Sequence, residues 1–244
     1  EKSQILNTND GQIKYDNLNK IIEDSGYNLF TFKAMFFCLM FVILEGFYLT
    51  YFGNIASAFQ NYYQISNSYL SFISSLCFLG MAIGSFSLGA FLLILTRRQI
   101  IIMSIIVLLI THLLSSLIHN LIIFVIFRFI GSIFLGYYMV LIFNILTEYL
   151  PVKLRGFFMN FIWFGWNLGA IYFLLLCKVY IPELSYSKNL PQKAKIPQNF
   201  YMAIFNFVYF YILNLILVYF FLEDSPRNLL VNHQKEKAGK ILKY

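Results

Sequence analysis

From Leu121 to Leu146 the chain is apolar for long enough to cross a bilayer even when tilted, and one charge, Arg128, interrupts it. A stretch like this has few ways to fold. In hydrocarbon its backbone N–H and C=O groups must bond to one another, which leaves only helices and closed barrels. Barrel strands are shorter and alternate apolar with polar residues, so the run reads as a helix. Five further stretches read the same way. The six predicted spans are 34–52, 69–95, 100–117, 121–146, 157–176 and 200–222. They form a bundle over 34–222, between a polar lead-in at 1–33 and a charged segment at 223–244. The expected fold class is all-α, a polytopic helical membrane protein embedded in the lipid bilayer.

Composition supports this. Of 244 residues, 59% are hydrophobic and 12% charged, about half the charged share of a soluble domain. A net charge of +7 would raise the question of nucleic acid in a soluble protein. Here the basic residues fall in the connections between spans and build no basic groove, so no nucleic-acid partner is expected. Arg97, Arg98, Lys153 and Arg155 occupy short connections on one side, together with the basic residues of both termini. Lys178, Lys188, Lys193 and Lys195 fall on the other. This asymmetry puts both termini on the cytoplasmic side, or on the matrix side of a mitochondrial membrane, with the organelle left open.

Several chemistries find no support. Cys38, Cys77 and Cys177 are too scattered for a zinc site or a disulfide framework. His112 and His119 have no acidic or cysteine partner at ligand spacing. There is no nucleotide-binding loop, paired carboxylate set or nucleophile with a base, so no enzyme, metal or cofactor is expected. The first thirty residues are polar and mixed in charge, unlike a secretory signal.

Charges inside spans carry the functional expectations. Arg128 must face protein or water, either near a substrate or coupling path or as a structural arginine bonded to backbone and helix-one polar groups. Glu45, the only charge in the first span, either binds a substrate cation or proton, or is held in the bundle as a neutral acid or an ion pair with Arg128. Asn167 adds a hydrogen-bonding group, and Trp163 and Trp166 either pack under the fourth helix or line a cavity. Gly80, Gly84, Gly89, Gly131, Gly136 and Gly156 are the expected packing glycines, because small residues let neighbouring helices approach.

Four stretches together resemble the N-terminal half of a major facilitator superfamily transporter, nearest the branch of sugar porters, organic ion transporters and synaptic vesicle protein-like transporters. The first is Gly80–Arg98, a glycine-rich helix leading to a loop of the form G-x-x-x-D-R-x-G-R-R. Gly89, Arg97 and Arg98 match that form, while Leu93, Ile94 and Thr96 replace its acid, first basic residue and internal glycine. The second is Arg128–Gly131. The third is Glu148–Gly156, which fits E-x-x-P-x-x-x-R-G at every fixed position. The fourth is Glu223–Arg227, similar to P-E-S-P-R. The resemblance implies two six-helix halves with a small organic solute or ion held between them, moved by alternating access. It also implies an inner-side charge latch from Arg97, Arg98, Glu148 and Arg155.

The chain supplies six helices and begins at Glu1. The expected partner is a C-terminal six-helix half, on the same polypeptide or supplied by partner membrane subunits. The alternative is a degenerate, transporter-like structural subunit of a larger membrane complex, favoured by the loss of the acid at Leu93.

Overall fold

The computed structural model describes residues 29–117, 120–150, 155–180 and 208–221. Residues 1–28 of the expected lead-in at 1–33, the tail at 223–244, His119, Pro151 and Lys153 lie outside the described residues. Six helices follow in order: α1 Leu29–Tyr63, α2 Asn67–Leu92, α3 Arg97–Leu117, α4 Leu121–Tyr149, α5 Arg155–Tyr180 and α6 Val208–Phe221. Helices α2 to α5 each hold a stretch long and apolar enough to cross a membrane. Shorter apolar stretches occupy Met35–Thr50 in α1 and Val208–Tyr219 in α6.

Helix ends follow local chemistry. Sequence reading expects a loop from Gly53 to Asn67, yet α1 continues to Tyr63 and turns at Gln64, whose φ is 52°. The charge-free stretch contains no proline or cluster of turn residues strong enough to stop a helix earlier. Ser66 caps α2 by accepting from the Tyr69 N–H, and Asn120 caps α4 by accepting from Ile122 and Ile123. Thr96 and Gln99 open α3 with reciprocal side-chain-to-backbone bonds of 3.3 and 2.9 Å, a capping box. At the end of α4, Leu150 is extended, the conformation that Pro151 behind it imposes. The hydroxyls of Ser74, Ser75, Ser85, Ser104 and Thr111 donate to carbonyls one turn back, so these polar side chains need no water.

The two main crossings of the bundle are built alike. Helix α1 packs along α5 and α2 packs along α4, while α3 lies on α4 and α6. Both main crossings are made by glycine. A Cβ on Gly84 or Gly136 would overlap the Ile133 or Met81 carbonyl, so α2 and α4 touch backbone to backbone. A Cβ on Gly46 or Gly169 would overlap the Trp166 or Ile43 carbonyl, so α1 and α5 do the same. Along α2 the buried residues are Ile73, Cys77, Gly80, Gly84 and Leu88. Along α5 the same spacing buries Phe158, Ile162, Gly165, Gly169 and Phe173. Internal repeats of three helices are one way such bundles are assembled.

Candidate functional site: a buried polar interior and a charged end

Helices α1 and α4 run antiparallel through the middle. The ring of Tyr138 packs on Phe41 at 4.8 Å, while the hydroxyl of Tyr48 reaches Arg128 and Ser132. Both tyrosines are fully buried.

Arg128 is 3% exposed and clasps Tyr48 in both directions. Its Nη2 donates to the Tyr48 carbonyl at 3.0 Å, and its guanidinium carbon lies 4.0 Å from the centre of the Tyr48 ring. The Tyr48 hydroxyl donates back to the Arg128 carbonyl at 3.1 Å, and Ser132 Oγ donates to the same carbonyl at 2.8 Å. A charged hydrogen bond and a desolvated cation–π contact thus hold the arginine that hydrocarbon would reject. Gly131 makes room for the clasp, because a Cβ there would stand 2.7 Å from the Tyr48 hydroxyl.

Glu45 is equally buried, and its Oε2 has no hydrogen-bond partner among the described residues. The pairing with Arg128 that the sequence left open is not formed; the ion pair found among the described residues joins Arg97 and Glu148. The helix register explains this. Glu45 lies between Phe41, which meets Tyr138, and Tyr48, which meets Arg128, so it falls between the two contacts and off the clasp. Around the clasp lie further groups that the sequence had not brought together. Buried His112 is ringed by Phe47, Tyr48 and Tyr211 at 5.8, 6.2 and 5.5 Å between ring centres. Asn214, one turn along α6 from Tyr211, is buried with its Oδ1 unbonded among the described residues.

The second expected group gathers where α2, α4 and α6 end and α3 and α5 begin. Arg97 at the start of α3 pairs with Glu148 at the end of α4. Arg98 donates to the Tyr219 carbonyl at 2.7 Å, closing the end of α6, and its guanidinium lies 5.9 Å from that ring. Arg155 Nε donates to the Leu150 carbonyl at 3.1 Å, closing the end of α4. Arg97 and Glu148 thus pair, while Arg98 and Arg155 each close a helix end on the same side of the bundle. Leu93, at the position of the missing acid, is 88% exposed and reaches none of them.

Of the expected packing glycines, a Cβ on Gly80, Gly84, Gly131 or Gly136 would stand within 3.0 Å of an atom of a facing helix. Gly89 and Gly156 are corrected: a Cβ on either would meet nothing within 4 Å among the described residues. Both face away from the neighbouring helices, Gly89 on the outer face of α2 and Gly156 in the first turn of α5. Gly46, which the sequence reading did not single out, makes one of the tightest approaches. Asn167 lies on the exposed face of α5 with Trp163, next to Trp166, whose carbonyl meets Gly46 of α1.

Comparison with known proteins fits this architecture. The chain is 24% identical over 171 residues to the benzoate transport protein of Acinetobacter baylyi, covering 68% of this chain and 37% of that protein. Its fold superposes on the proton:xylose symporter XylE bound to 6-bromo-6-deoxy-D-glucose with a TM-score of 0.74 at 19% identity. That match covers 88% of this chain and 50% of the symporter. A partially occluded inward-open form of XylE from E. coli gives 0.71 at 20% identity, covering 87% and 55%. The chain therefore spans about half the length of these transporters. The family model described as Major Facilitator Superfamily matches residues 35–243, and the chain belongs to that superfamily.

Proposed function

We propose that this chain is the N-terminal six-helix half of a secondary transporter that moves a small organic solute or ion by alternating access. The observation that carries the reading is the fold match: 88% of the chain superposes on 50% of a proton:xylose symporter. A C-terminal six-helix half completes the path, and both termini of this half face the cytoplasm or matrix. Arg128, Glu45 and Asn167 serve substrate or coupling-ion binding. Glu45 is the strongest of these, because an acid with an unbonded oxygen in the bundle interior can take up and release a proton. Arg97 and Glu148, with Arg98 and Arg155, hold helix ends together on the inner side and part when the halves rock.

The test is uptake of radiolabelled D-xylose and benzoate into proteoliposomes holding the full-length polypeptide, with and without an imposed proton gradient. Gradient-driven uptake that falls at least tenfold in Glu45→Gln supports the reading. A second reading, a structural subunit of transporter descent, is favoured by exposed, apolar Leu93 at the signature acid's position. It predicts no uptake and stoichiometric recovery of the chain within a larger membrane complex.

A further inference from the structure

The turn between α2 and α3 is made of large apolar residues that lie away from the bundle. Leu92, Leu93 and Ile94 are 36%, 88% and 83% exposed. Arg97 and Arg98, just after them, reach the other way, to Glu148 and to the Tyr219 carbonyl. Left in water, three such side chains in a row would stay hydrated at a cost.

The backbone of the turn suits an apolar medium. The Leu93 N–H donates to the Ala90 carbonyl at 3.3 Å, and those of Ile94 and Leu95 donate to the Phe91 carbonyl at 3.1 and 2.9 Å. The Thr96 N–H donates to Gln99 Oε1 at 2.9 Å. An irregular segment can approach hydrocarbon only when such donors are satisfied from within. Depth agrees. Gly80 meets Phe129, Gly84 meets Ile133 and Gly136 meets Ser85, an offset of about 50 residues between α2 and α4. Carried on to Ile94, that offset puts it about 6 Å nearer the bundle centre than Glu148. The apolar tip thus lies on the membrane side of the Arg97–Glu148 pair.

Continuity decides between lipid and protein. Phe72, Leu79, Ile83 and Phe86 form an exposed bulky stripe along α2 at helical spacing, running toward the turn. Past the turn, Ile106, Ile110 and Leu117 of α3 are exposed and bulky again. A separate exposed face of α2 carries Ser71, Ser75, Ala82 and Ser85. Small residues of that kind admit another helix at close range, and the bulky stripe has none of them.

We propose that the α2–α3 turn is seated in the acyl chains of the leaflet at the Arg97–Glu148 end, as a shallow lipid anchor that ends the stripe from Phe72. The partner is the bilayer itself: acyl chains cover Leu93 and Ile94, and headgroups lie at the level of the two arginines. The anchor fixes the depth of the first turn of α3, which Thr96 and Gln99 cap. It requires membrane embedding alone and does not depend on transport.

The experiment places a nitroxide at Leu93→Cys or Ile94→Cys of the full-length polypeptide in phosphatidylcholine–phosphatidylglycerol vesicles. Cys38, Cys77 and Cys177 are buried, so the label goes to the introduced thiol. Power saturation compares collisions with oxygen, which concentrates among acyl chains, and with a water-soluble nickel chelate. At both positions oxygen accessibility should exceed that of the chelate at least threefold. Ile83→Cys, farther up the same stripe, should give a larger ratio still. Greater accessibility to the chelate would place the turn in water and overturn the proposal. Low accessibility to both reagents would place it against protein, a second six-helix half or another subunit, and would overturn it equally. A smaller ratio at position 83 than at 94 would contradict the depth assigned to the turn.

Discussion

Helices α2 and α5 bury the same pattern and present different surfaces. Gly80 and Gly84 on one correspond to Gly165 and Gly169 on the other, and Ile73, Cys77 and Leu88 correspond to Phe158, Ile162 and Phe173. On the outward face the correspondence continues in position but not in chemistry. Ser75, Phe78 and Ala82 on α2 stand where α5 has Asn160, Trp163 and Asn167. The Ser75 hydroxyl bonds its own helix, so that face of α2 asks nothing of its surroundings. The amide of Asn167 has no such internal partner. One packing scheme, used twice, fixes the geometry of the bundle, and the residues left on the outside differentiate the two units.

Substitutions can break this comparison, in decreasing order of effect. Gly84→Leu and Gly169→Leu drive a side chain into a carbonyl on the facing helix. Each should cost about 3 kcal/mol or more, and if the crossings are equivalent the two losses should agree within about 1 kcal/mol, read by reversible unfolding in mixed micelles. A large loss at only one site would show that the units are not mechanical copies. Next is Arg128→Met, which removes the charged bond to Tyr48 and should cost about 2 kcal/mol in the same assay. Tyr48→Phe, which keeps the ring under the guanidinium, should cost about 1 kcal/mol. Glu148→Gln breaks a partly exposed ion pair and should move stability by less than about 1 kcal/mol, an effect that shrinks as salt is raised. Gly89→Ala should change the unfolding midpoint least, because its Cβ enters open space.

Much of this was legible in the sequence, and the remainder has identifiable causes. Apolar length announced the helices, since hydrocarbon forces the backbone to satisfy itself. The Gly80–Gly84 spacing announced the α2–α4 crossing. Gly46 left no such signal, because a lone glycine becomes meaningful only once Trp166 is known to lie against it. The sequence left open a structural Arg128 bonded to backbone and helix-one groups, but it could not name Tyr48, because the acceptor is a backbone carbonyl, which every residue possesses. The other alternative, a pairing with Glu45, fails although Glu45 lies one turn from Tyr48 on the same helix. The Thr96–Gln99 capping box has a readable sequence signal, a threonine followed three residues later by glutamine. Asn167 was noticed, yet its place on the exposed face of α5 emerged only once α5 was seen to pack on α1.

The most direct test of the account compares Asn167→Cys with Ala82→Cys in the full-length polypeptide in its membrane. Cys38, Cys77 and Cys177 are buried and provide a low background. Reaction with a charged, water-soluble methanethiosulfonate reports whether each position meets water. The account predicts rapid modification at position 167 and modification at least tenfold slower at position 82. Equal rates, or faster reaction at 82, would contradict the claim that twin helices have been turned to different surroundings.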